Sequence, residues 1–114
     1  MNKKKSNNTK NIIVFDANLR LVGMFSSYYT AAKTTGVCHQ MIAKACNGTI
    51  IAAKGMYWRE IDIKEYIMDC DDLGNLTLLD FDREQGVNRK IYASRNMRKN
   101  EIILESEYKR KWLK

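Results

Sequence analysis

Ala32, Gly36 and Ile42 stand at i, i+4 and i+10, and few folds satisfy that spacing. Where two helices cross closely, only a small side chain such as Ala32 permits the approach. A tight turn between them needs a residue tolerant of positive φ, which Gly36 supplies. Ile42 then reaches back from the second helix to fill the space between the two, with Val37 and Ala45 completing the apolar side. The pattern is that of a helix-turn-helix. Its flanks agree: Ser26-Ser27 precedes Tyr28-Tyr29-Thr30-Ala31-Ala32-Lys33, so a serine can cap the first helix. Thr34-Thr35-Gly36 ends that helix in a left-handed turn, and the second is predicted over 39–47, stopped at Asn47-Gly48.

A unit this short cannot bury its own apolar side and must pack on neighbours. Residues 12–15 and 19–25, around Asp16-Ala17-Asn18, read as a β-hairpin. Residues 49–53 and 56–61, around Lys54-Gly55, read as a further strand pair. Beyond Asp62 the periodicity weakens; 66–68, 76–79 and 102–104 read as strands and 105–113 as a terminal amphipathic helix. The expected class is α+β: a short helix-turn-helix flanked by β-hairpins, followed by a small mixed C-terminal region. Residues 1–11 form a basic tail, 12–61 the helix-turn-helix module, and 62–114 an extension of unassigned role.

The 114 residues suffice for one ordinary domain, and 45% hydrophobic against 29% charged residues is a globular composition. The net charge of +7 is unevenly placed. Up to Glu60 there are nine Lys and Arg against only Asp16 and Glu60, whereas the remainder has eleven residues of each sign. A basic module of this kind points to a nucleic acid. No apolar run approaches the ~18 residues of a membrane span, and none follows the first lysines as in a signal peptide. The expected location is the cytoplasm of a bacterium or phage-infected cell, or a virion, with no membrane partner. Cys38, Cys46 and Cys70 form no CxxC pair, and His39 is the single histidine. A structural zinc site takes four ligands at short paired spacings, so neither a metal nor a cofactor is expected.

With Ile42 and Ala45 turned inward, the other side of the second helix presents His39, Gln40, Ala43, Lys44 and Asn47. Gln40 and Asn47 can pair bidentately with adenine, Lys44 can reach guanine or phosphate, and His39 can donate to either. Ser26, Ser27 and Thr30, at the start of the first helix, are candidates for phosphate contacts. Lys3, Lys4, Lys5 and Lys10 can follow phosphates as an arm. The bland alternative, a solvated polar face and a solubilising tail, fits the same residues one by one.

Several elements in order also reach a family: Val14-Phe15-Asp16, Val22-Gly23-Met24-Phe25-Ser26-Ser27, Ala31-Ala32, Thr35-Gly36-Val37, Ile42, Cys46-Asn47-Gly48 and Gly55-Met56-Tyr57-Trp58-Arg59. Residues 12–60 resemble the nuclease-associated modular DNA-binding domain of the first type, an accessory module of homing endonucleases and phage proteins. The resemblance implies a helix-turn-helix reader of double-stranded DNA with its second helix in the major groove. It also implies that Tyr57-Trp58 forms a core lid over the helices. Members often carry a nuclease on the same chain, and no such motif is visible here.

No catalytic residue is expected. Asp69, Asp71, Asp72, Asp80, Asp82 and Glu84 are the acidic candidates for metal-assisted cleavage, but Asp69-Cys70-Asp71-Asp72 before Leu73-Gly74-Asn75 reads more simply as a turn. Gly86-Val87 can be laid against Gly36-Val37 as a second helix-turn-helix, but the position matching Ala32 is Asp82, a charge at a buried crossing. Arg89, Lys90, Arg95, Arg98 and Lys99 make a second basic cluster. The leading expectation is a non-enzymatic DNA-binding protein of phage or mobile-element type. The rival is a structural or assembly protein of a phage particle, with protein partners engaged through 62–114.

Overall fold

An unbroken apolar run such as Ile12-Ile13-Val14-Phe15 suits a strand only when both of its faces are buried. The computed structural model, which describes residues 10–108, places it so. Strand β1 (Lys10–Phe15) is the centre of a three-stranded antiparallel sheet, between β2 (Leu21–Phe25) and β3 (Tyr57–Asp62). Side chains alternate along a strand. Ile12 and Val14 therefore face helices α1 (Tyr28–Thr35) and α2 (His39–Asn47), while Ile13 and Phe15 face residues from the C-terminal half. The class is α+β.

The β1–β2 turn is held by Asp16. Its Oδ1 accepts from the backbone N–H of Asn18 at 2.9 Å and of Arg20 at 3.1 Å. Leu19 between them is wholly buried with φ at +68°, a conformation few side chains adopt.

Alternation along β3 separates two aromatics that adjoin in sequence. Trp58, opposite Val14, packs under the helices with Phe25, and its Nε1 donates to the Ala53 carbonyl at 3.1 Å. Tyr57, opposite Phe15, goes to the other face, where its hydroxyl accepts from the Tyr92 N–H at 3.0 Å. The lid over the helices is Trp58 alone; a strand cannot turn neighbouring residues to one side.

The far face of the sheet is covered by α3 (Leu78–Glu84) and a two-stranded unit of β4 (Lys90–Tyr92) and β5 (Ile102–Leu104). Leu78, Leu79, Phe81 and Ile91 join Ile13, Phe15, Leu19, Leu21, Tyr57 and Ile61 in one cluster, so residues on both sides of Asp62 share a core.

Several expected elements differ. Residues 49–53 form no strand: β3 pairs with β1, and Ala53 keeps only an isolated bridge to Met56 across the turn at Lys54-Gly55. Ile50 and Ala53 pack on the helix side and Ile51 and Ala52 on the other, which no regular strand register would give to that order. Residues 66–68 are irregular, anchored by Tyr66 edge-on to Phe81 with centroids 5.3 Å apart. Residues 76–79 enter α3 because Thr77 caps it, its Oγ1 accepting from the Asp80 N–H at 3.1 Å. Of the terminal helix, Glu105–Glu107 is a single 3-10 turn, and 109–113 lie outside the described residues. After Gly86 the chain runs into β4 and not into a second helix, so 78–93 is no repeat of the helix-turn-helix.

Candidate nucleic-acid interface

Identifiable groups close the start of α1 and the ends of both helices. Ser27 caps α1: its Oγ accepts from the Thr30 N–H at 3.1 Å and donates to Thr30 Oγ1 at 3.0 Å. Gly36, at φ +81°, ends α1 by donating its N–H to the Ala32 carbonyl at 2.8 Å. Lys54 adds a clamp that no local sequence pattern signals, its Nζ donating to the Thr35 carbonyl at 2.9 Å. In α1 the fully buried alanine is Ala31; Ala32 is half-buried against the same cluster. Val37, Ile42 and Ala45 are buried with it.

Fixing Ile42 and Ala45 inward decides what α2 turns outward. His39, Gln40, Lys44 and Asn47 are exposed, with Ala43 half-buried among them. Gln40, Lys44 and Asn47 fall on successive turns of one stripe. The Asn47 carbonyl oxygen already accepts from Thr49, from its N–H at 2.9 Å and its hydroxyl at 2.6 Å. Bidentate pairing with adenine needs that oxygen as well as the amide nitrogen; the Gln40 oxygen meets the Cys38 thiol, a weak donor 4.0 Å away, so Gln40 is the better placed of the two amides. Tyr29, 69% exposed, and Met41 add apolar surface, and Tyr29, Lys33, Val37 and His39 line an open notch of about 480 Å³ between the helices.

The remaining site candidates are dispersed. Ser26 and Thr30 are exposed at the start of α1, while Ser27 is committed to the cap. Lys10 lies opposite Asp62 across β1–β3, in a cleft that also holds Glu60 and Glu65, so carboxylates of the chain itself surround it. Lys3, Lys4 and Lys5 lie outside the described residues.

Arg59, one of the basic residues before residue 61, contributes nothing to the surface. It is 3% exposed on β3, and its Nε and Nη2 donate to the carboxylate of Asp82, itself 1% exposed, the closest contact being 2.8 Å. Four of the other acidic candidates are likewise occupied: Asp69 and Asp72 close a 3-10 turn on each other's backbone, Asp80 pairs with Arg83, and Glu84 accepts from the Tyr66 hydroxyl. Among the described residues no three His, Cys, Asp or Glu side chains converge to hold a metal. No helix among them is long and apolar enough to cross a membrane. Cys46, on the half-buried edge of α2, has its thiol pushed up to about 12, by burial first and then by Glu60.

Arg89 is the residue beside α2 whose role composition misplaces. Grouped by sequence with an exposed basic cluster, it instead reaches back to α2, where Nη2 donates to the Ala45 carbonyl at 2.8 Å and Nη1 to the Cys46 carbonyl at 3.3 Å. These carbonyls belong to the last turn, which has no partners of its own within the helix. No family model, curated protein or solved structure matches the chain.

Proposed function

We propose that the protein binds double-stranded DNA without catalysing a reaction on it, reading bases with the outward stripe of α2. One observation carries the reading: Ile42 and Ala45 pin α2 to Trp58 and Ala31, so that His39, Gln40 and Lys44 are presented together on a helix held by its buried face. A helix of that width enters the major groove, where amide and ammonium groups distinguish base edges. Lys33, Lys44 and the tail lysines supply sequence-independent attraction to phosphates. The resemblance of residues 12–60 to a DNA-binding module of homing endonucleases and phage proteins agrees with this.

Fluorescence anisotropy with mixed-sequence duplex tests it. Affinity should fall by orders of magnitude between about 50 and about 200 mM salt, as phosphate-dominated binding does. A folded protein that binds no duplex at the lower salt sinks the proposal. The rival reading, a protein-binding role, would seat its partner on the 63–108 side, where Ile67 and Leu73, in the loops before α3, are 88% and 57% exposed. Under that reading, association with its partner would survive the same increase in salt.

A further inference from the structure

The contact of Arg89 with α2 joins residues far apart in sequence, and the same arginine is gripped from behind. Its N–H donates to Glu105 Oε1 at 3.0 Å, and its carbonyl accepts the Glu105 N–H at 2.9 Å. The other Glu105 oxygen, Oε2, is sealed from solvent with no donor beside it. Next to it lies Asp82, already held by Arg59. Just past α2, the left-handed stop Gly48, at φ +89°, lies beside the guanidinium, where a Cβ would stand in ordinary contact at 3.5 Å. A cation at the C-terminal end of a helix is also favoured by the helix dipole.

We propose that Arg89 is a positioning residue of the reading helix, and that Glu105, Asp82 and Arg59 form the buried cluster that latches it in place. The C-terminal half thereby controls how firmly the DNA-reading face is held. Its consequence for DNA rests on the function proposed above, whereas the latch itself does not.

The cluster makes the latch sensitive to protons. Glu105 is raised from its ordinary 4.5 to about 8, by burial first and then by Asp82; the Arg89 N–H and Arg59 act in the opposite direction. Two further groups sense Glu105: the Tyr57 hydroxyl, which burial pushes up to about 12, and the Arg89 guanidinium, held below its ordinary value by burial first and then by Arg59. At neutral pH Glu105 therefore keeps its proton and can donate it from Oε2 to the Asp82 carboxylate, where two bare carboxylates would repel. The sign follows. A released Glu105 has the lower pKa, so the latched state binds the extra proton. Latching is fully favoured below about 4.5 and weakens as pH rises to about 8, by at most tenfold per pH unit for one proton.

Amide hydrogen exchange over residues 42–48, corrected for intrinsic rates, reads the latch without DNA. Arg89→Ala should lose roughly tenfold in protection at pH 6 and Arg89→Lys should recover part of it, as one lost charge-assisted bond would produce. The wild type should lose protection as pH rises from 5 to 8. Glu105→Gln, which keeps both an acceptor for Arg89 and a donor for Asp82, should not. Unchanged protection in Arg89→Ala, or equal pH losses in wild type and Glu105→Gln, overturns the latch. On duplex DNA, Arg89→Ala should weaken binding with the same slope of log affinity against log salt. A slope reduced by about one would make Arg89 a phosphate contact instead. If the wild type binds no duplex, the proposed function fails and the exchange result still decides the latch.

Discussion

Arg59 counts in the sequence as one of the charges that make the first sixty residues basic, yet the fold buries it against Asp82. Asp82→Ala would take from a desolvated guanidinium the carboxylate that accepts its hydrogen bonds, and should cost about 3–5 kcal/mol in urea unfolding. Replacing both, as Arg59→Met with Asp82→Leu, should recover a large part of that loss, since neither charge is then left buried without the other. A single-variant loss below about 1 kcal/mol would mean that water reaches the pair. Neither burial is legible in the sequence. Asp82 can be recognised as a charge on a predicted apolar position, but its partner lies 23 residues away on a different element, and no local pattern carries that. Gly36 is the opposite case. A turn this tight between two helices demands a left-handed residue at that position, and its φ is +81°. Gly36→Ala should destabilise by about 1 kcal/mol through the left-handed backbone.

The helices and the central hairpin are readable in the sequence because their determinants are local. Caps, glycine stops and an apolar run act within a few residues, so Ser27, Gly36, Gly48 and Ile12–Phe15 mark their own elements. Ser27→Ala should cost about 1 kcal/mol in thermal or urea unfolding, the usual loss for a serine cap. Residues 76–79 mislead because Leu78-Leu79 suits a buried strand and a buried helix alike; the Thr77 cap decides for the helix. The partner of β3 is obscured because proximity in sequence favours 49–53, whereas β1 offers the longer apolar pairing. On α2 the two faces separate by test. Ile42→Ala should lose about 2–5 kcal/mol of stability. Gln40→Ala with Lys44→Ala should leave the fold intact and weaken duplex binding by tenfold or more, with the salt slope reduced by about one for the lysine. Loss of stability in the second pair, or unchanged affinity, would contradict the assignment of faces.

At the scale of the whole molecule, a three-stranded sheet is covered on one side by the helix pair and on the other by the C-terminal half. The change in charge near residue 62 divides two roles more than two structures: the basic side displays α2, and the balanced side supplies core, Asp82 and Arg89. That division explains why the C-terminal half resists reading from sequence. Its residues satisfy contacts set by the other half, so their pattern is not periodic in itself. The functional proposal stands or falls on whether DNA is met by the outward stripe of α2. Titrating labelled protein with duplex while following backbone amide chemical shifts tests this residue by residue. The largest changes should fall on His39, Gln40, Ala43 and Lys44, with smaller ones at Ser26 and Thr30 and little beyond Asp62. Changes confined to residues 63–108, or none at duplex concentrations where lysine-rich surfaces bind, would contradict it.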